Sequence, residues 1–322
     1  NVISSRLIEA MTYKLLPLIN DFNPDILIAT HSFSAEMLSV LKSKYNMTIP
    51  CMCIITDYYP HNSWLHPYLD AYVVSNEDMI DKMISKGIPE NIIYNLGIPV
   101  KPEFSINYCK EDILKSLQLS PSKFTILIMG GSLGMGKILN IYKQLDKVTA
   151  DIQIVIITGK NKKLYSELLK IKESSLKNTV IIGFTQHVNK YMRASDLLLT
   201  KPGGLTITEA LICKIPMGLL SPIPGQEEKN AEFLLKHNLA IDLTDIEKFK
   251  ENIEKLLNSK DILNIMTENC YKFSKPYASD HIFNLINRLV QKKLVEPSFL
   301  KPKKSMLKVT LKHFLNAQKN IF

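Results

Sequence analysis

The sequence predicts an α/β protein built from two doubly wound domains, and three observations predict it. Short apolar runs rich in Ile, Val and Leu recur along the chain: DILIAT from 25, PCMCIIT from 50, AYVVS from 71, FTILIMG from 124, IQIVIITG from 152, NTVIIGF from 178, DLLLTK from 196 and IPMGLLS from 215. Their apolarity is nearly continuous rather than alternating, as expected of strands buried on both faces of a parallel sheet. Helix-length segments separate them, which is the βαβ pattern. A length of 322 residues suits two domains of roughly 100 to 200 residues each.

The elements follow in order. Residues 1–25 read as a helix leading directly into the first strand, with no opening strand and no glycine-rich turn, and residue 1 is not methionine. We therefore expect either a fragment or a degenerate first half-domain. Prolines in IPVKPEF and QLSPSKF frame a polar stretch near 99–121, where neither element continues easily. This gives an expected first domain over 1–105, a second domain over 106–275, and a last segment, 276–322, holding a helix and a basic tail. Ten of the twelve glycines lie between Gly130 and Gly225, so close backbone approach to a ligand is expected in the second domain.

Charge is distributed unevenly. The net charge is +9, of which the segment from Lys292 onward carries +7 through eight lysines and Glu296. Residues 305–322 set Leu307, Leu311, Phe314 and Ile321 along one helical side, with Lys308 and Lys312 broadly opposite and Lys303 and Lys304 just upstream. An amphipathic basic helix of this kind suits an anionic bilayer surface. Nucleic-acid binding would call for arginine and exposed aromatics in a groove, and only three arginines occur. No run of about 18 apolar residues is free of charge, so no membrane-spanning helix is expected, nor is a signal peptide. Five cysteines at 51, 53, 109, 213 and 270 lack the paired spacing of a zinc site, and buried reduced thiols are expected instead.

Three stretches carry candidate chemistry. MGGSLGMGK, 129–137, follows the strand FTILIMG and offers glycines and helix amides suited to a diphosphate, although it matches neither the Walker A nor the dinucleotide pattern. TKPGGLTITEA, 200–210, places Gly203 and Gly204 at a turn, Thr206 at a helix start, and Glu209 one turn on, where its carboxylate can accept from ribose hydroxyls. PIPGQEEKNAEFL, 222–234, offers Gln226, Glu227 and Asn230 to sugar hydroxyls. Each alone has a plain reading as a turn, a dipole-favoured acid or a polar loop. Together they follow strands of one domain and converge on its carboxyl edge, where such sheets bind ligands.

TKPGGLTITEALICKIPMGLLSPIPGQEEKNAEF, together with ITDYYPHNSWLHPYLDAYVVSNED and IYNLGIPVKPEF, resembles the processive diacylglycerol glucosyltransferases and the plant monogalactosyldiacylglycerol synthases. Both are related to the enzyme that adds N-acetylglucosamine to lipid-linked peptidoglycan precursors. The resemblance covers most of 20–275. It implies a GT-B fold, inversion at the sugar carbon, and neither a cofactor nor a catalytic metal. It puts Gly130, Gly131 and Ser132 near the diphosphate, and Gly183 and Phe184 near the uracil. Thr206 would meet phosphate, Glu209 the ribose, and Gln226 with Glu227 the transferred hexose.

The family's glycine-rich turn with its histidine has no counterpart here. Asp57 and His61 are the catalytic candidates that remain, with Asp57 equally readable as a turn residue. Trp64 and His66 match an acceptor-side motif, Trp64 being an interfacial anchor or core. His31, also at a strand end, reads as structural. The expected function is transfer of glucose from UDP-glucose to diacylglycerol or glycosyl-diacylglycerol, at the cytoplasmic face of the membrane. UDP-galactose, another lipid acceptor, a non-catalytic UDP-sugar binder and a UDP-sugar epimerase are the competing readings, the last disfavoured by PGQEEKNAEF.

Overall fold

The computed structural model describes residues 8, 9, 11–130 and 135–295. The chain divides into two compact units, residues 1–99 with 277–322, and residues 100–276. Each holds one parallel sheet.

In the first unit, helix α1 (Leu15–Phe22) precedes strand β1 (Leu27–Ala29), helix α2 (Ser32–Lys44), strand β2 (Cys51–Ile54), strand β3 (Ala71–Val73), helix α3 (Asp78–Ser85) and strand β4 (Ile93–Tyr94). The strands lie in the order β1-β2-β3-β4. Cys51–Ile54 and Ala71–Val73 are buried along their whole length, which is why their sequences do not alternate. The turn from β1 to α2 contains no glycine; His31 occupies it, and its Nδ1 accepts the Phe33 N–H at 3.2 Å, capping the helix. One face of the sheet is covered from far along the chain. Ile282 and Leu285 of helix α12 (Ala278–Val295) pack with Met52, Ile54, Ala71 and Val73.

The second unit runs α4 (Lys110–Ser116), β5 (Phe124–Met129), α5 (Met135–Asp146), β6 (Ile152–Ile157), α6 (Lys162–Lys172), β7 (Asn178–Ile182), α7 (Val188–Ala194), β8 (Leu197–Thr200), α8 (Gly204–Cys213), β9 (Met217–Leu219), α9 (Gln226–Lys236), β10 (Ala240–Asp242), α10 (Phe249–Leu257) and α11 (Lys260–Phe273). Its strand order is β10-β9-β8-β5-β6-β7. The chain thus winds outward from β5 in one direction, returns to the other side of β5, and winds outward again. The reversal falls between β5 and β8, and such a switch point is where doubly wound sheets open a ligand crevice at their carboxyl edge.

Burial inside this sheet is complete enough that its polar residues must be paired. Gln153 is fully buried near the start of β6. Its Oε1 accepts the Ser120 N–H at 2.9 Å, and its Nε2 donates to Ser120 O at 2.7 Å and Thr125 Oγ1 at 2.8 Å. One expectation on the cysteines needs correction. Cys51, Cys53, Cys213 and Cys270 are buried, but Cys109 is exposed, because it sits in the polar connection just ahead of α4 rather than in a strand or apolar face.

Candidate active site

The second unit gathers most of the candidate side chains at the carboxyl ends of β5, β8 and β9. Ile128 pairs with Leu199 across β5 and β8, so Gly130 and Lys201, two residues further on each strand, flank the switch point. Gly131 and Ser132 lie outside the described residues. Helix α8 begins at Gly204, and the first amide bonded back is that of Ile207, to Gly203 O at 2.9 Å. The N–H groups of Gly204, Leu205 and Thr206 therefore precede the helix ladder and form its electropositive end. Buried residues line most of α8, including Ile207, Ala210 and Leu211, so the helix cannot shift without disturbing the core.

Glu209 sits in the second turn of α8, half-buried. Burial pushes its carboxyl up to about 7, partly offset by the Lys101 ammonium. Near neutrality it is poised between an acceptor-only carboxylate and a carboxyl that can also donate.

The loop after β9 is shaped by Gly225, whose φ of +100° is a conformation that only glycine adopts without strain. Gln226 then opens α9. Glu228 reaches back to accept the Gly225 N–H at 3.0 Å. Glu227 is held twice: Oε1 lies 2.6 Å from Lys201 Nζ, and Oε2 accepts the Ile223 N–H at 2.8 Å. Asn230 is fully buried and donates to Pro202 O at 3.1 Å. That bond ties α9 to the turn before α8, a framework role for a residue whose amide would otherwise suit a sugar.

Gly183 and Phe184 follow β7. A side chain at Gly183 would meet nothing within 4 Å, and the Phe184 ring is 63% exposed, with Lys160 Nζ 5.6 Å from its centroid. An uncovered aromatic with an open backbone edge beside it can stack against a planar base.

In the first unit, the stretch after β2 folds Asp57 against Trp64, whose indole N–H donates to Asp57 Oδ2 at 3.0 Å. Trp64 is only 2% exposed, so its ring belongs to the core and not to a lipid surface. His61 is exposed, with Nδ1 3.1 Å from Ser63 Oγ. His66 Nε2 lies 2.9 Å from Ser63 O, and burial holds this imidazole down at about 4 despite backbone contacts to Ser63 and Ser32. The Tyr72 hydroxyl fixes the same loop, accepting the His66 N–H at 2.6 Å and donating to His66 O at 2.7 Å. Among the described residues no group of three or more His, Cys, Asp or Glu is arranged to hold a metal ion. Lys303, Lys304, Lys308 and Lys312 lie outside the described residues.

Two family models match this chain. That of monogalactosyldiacylglycerol (MGDG) synthase matches residues 1–100, and that of the glycosyltransferase family 28 C-terminal domain matches residues 125–288. A processive diacylglycerol beta-glucosyltransferase of Staphylococcus epidermidis is 34% identical over 271 residues, 84% of this chain and 68% of that protein. One from Bacillus subtilis is 30% identical over 258 residues, 80% of this chain and 66% of that protein. The chain belongs to this glycosyltransferase family.

Solved structures agree on the fold. MurG of Acinetobacter baumannii superposes with a TM-score of 0.65 at 17% identity, covering 87% of this chain and 78% of that one. MnaA of S. aureus, solved with UDP, also gives 0.65, at 15% identity, covering 89% and 82%. The two parallel sheets are those of a GT-B glycosyltransferase, and the family makes this chain a UDP-sugar-dependent transferase.

Lys201 and Lys101 carry charge at this site but escape sequence reading. A lysine at a strand end has no signature, and its partner, Glu227, lies 26 residues away. Only the lysine directly ahead of the Pro-Gly-Gly turn could have hinted at it.

Proposed function

We propose that this chain transfers glucose from UDP-glucose to diacylglycerol, inverting the sugar carbon, while attached peripherally to an anionic membrane on its cytoplasmic side. The observation that carries the reading is the convergence at one switch point of the α8 amino end, Glu209 and the Lys201–Glu227 pair, in a chain whose relatives bear that name. The relatives also point to a growing glycolipid as a second acceptor, since they are named processive. The MGDG synthase match over 1–100 makes UDP-galactose the donor to test beside UDP-glucose.

The acceptor hydroxyl attacks the sugar carbon as the bond from that carbon to the diphosphate oxygen breaks, and the electron pair leaves on UDP. The Gly204–Thr206 amides, with Gly130 at the carboxyl end of β5, stabilise the charge gathering on the diphosphate. Preorganised dipoles of this kind contribute most when they are aimed at charge that develops only in the transition state. Glu209 accepts from the ribose hydroxyls, the Gly183–Phe184 edge holds the uracil, and Gln226 with Glu227 contacts the hexose. In the first unit Asp57, oriented by Trp64, takes the acceptor proton or supports the base that does, and His61 of the same loop is the second candidate. The basic tail supplies membrane attachment.

Isothermal titration with UDP tests the donor half of this reading. We expect binding by the native chain and a loss of about tenfold or more in Glu209→Ala, the scale of a broken hydrogen bond to a charged group. Equal binding by both proteins would remove Glu209 from the site.

A further inference from the structure

The ion pair between Lys201 and Glu227 joins two loops that follow neighbouring strands, β8 and β9. Its side chains are 22% and 14% exposed, so it is shielded from the screening that weakens surface pairs, and losing one partner strands the other charge. The lysine backbone is fixed as well. Gly203 N–H donates to Lys201 O at 2.8 Å, and Asn230 holds the adjacent Pro202 carbonyl. Each Glu227 carboxylate oxygen has one protein donor, Lys201 Nζ on Oε1 and Ile223 N–H on Oε2. Each oxygen therefore keeps a second acceptor position, enough for a sugar hydroxyl. The diphosphate has its own donors in the amide groups that open α8.

We infer that Lys201 is a positioning residue for the donor sugar: its ion pair fixes the Glu227 carboxylate where the hexose hydroxyls meet it, and the lysine itself does not hold the diphosphate. The inference rests on the reading of Glu227 as a hexose contact. It separates two parts of the donor, because Lys201 governs the glucose moiety and leaves the UDP moiety alone.

Isothermal titration of the full chain with UDP and with UDP-glucose reads the difference. In Lys201→Met we expect UDP affinity within about twofold of native and UDP-glucose affinity about tenfold weaker, one hydrogen-bonding network's worth of discrimination. Lys201→Arg, which keeps the cation, restores UDP-glucose binding. Should Lys201→Met lower the Tm below the assay temperature, Lys201→Gln, which removes the charge and keeps a polar side chain, carries the comparison and shows the same selective loss. Equal weakening for both ligands would overturn the inference by placing Lys201 on the diphosphate. Unchanged affinities for both would reduce the pair to a loop staple and overturn it too. A native chain that binds neither ligand removes the donor-site reading itself, and this inference with it.

Discussion

Glu209 shows how burial sets chemistry one residue at a time. Its raised value means that between about 4.5 and about 7 the folded chain holds a proton the unfolded chain has released. The stability this group contributes is therefore greatest below 4.5 and declines as pH rises toward 7. Binding has the opposite sign, because the carboxylate is the better acceptor for ribose. UDP affinity should climb as pH is raised through about 7 and then level off, and Glu209→Gln should flatten the curve. Titrations at pH 6, 7 and 8 check this. His66 behaves conversely: with its imidazole held at about 4, the unfolded chain takes up the extra proton, so its contribution to stability is lost as pH falls from about 6.5 to about 4. It serves as a neutral fixture of the loop after β2 and not as a proton carrier near neutrality. Trp64→Phe keeps most of the buried ring and deletes the donor to Asp57. We expect kcat to fall at least about fivefold, with donor KM little changed, if Asp57 acts in proton transfer.

At the scale of elements, packing fixes where the loops can go. Gly218 in β9 has no room for a side chain, since a Cβ there would come within 2.5 Å of Leu199 Cδ2 and 2.6 Å of Leu243 Cδ1. Gly218→Ala should cost about 1–3 kcal/mol by overpacking, read as a lower urea midpoint. Much of this architecture was legible in advance, and the reason is length. The apolar runs from 25, 50, 71, 124, 152, 178, 196 and 215 each became a strand, β1 to β3 and β5 to β9. The two strands that escaped, Ile93–Tyr94 and Ala240–Asp242, have two and three residues, too few to show any period. The site was legible where backbone chemistry made it so: glycine pairs, a helix start and an acid one turn on leave a trace in sequence. Side chains that meet only through folding leave none. Nothing in the sequence pairs Lys201 with Glu227 or Trp64 with Asp57, or sends Asn230 inward to Pro202.

For the whole molecule, the chain's return to its first unit is the feature local sequence could not announce. Helix α12 packs Ile282 and Leu285, 4% and 1% exposed, against β2 and β3, so the first unit is completed by residues more than 200 positions away. Leu285→Ala should destabilise that unit by about 2–5 kcal/mol, as large-to-small core changes do, while the second unit keeps its own core. Among the described residues no helix is long and apolar enough to cross a membrane, and the attachment we propose falls to the lysine-rich segment beyond α12. Deleting residues 297–322 should abolish sedimentation with anionic vesicles and leave UDP binding intact. In the reaction we propose, the site at the β5–β8 switch point drives sugar transfer to a glycerolipid. The most direct measurement offers radiolabelled UDP-glucose to the native chain and to Glu209→Ala in the presence of diacylglycerol vesicles, with UDP-galactose in parallel. The native chain should yield labelled glucosyl-diacylglycerol and the variant at least about tenfold less; equal transfer by native and variant chains would remove this site from catalysis.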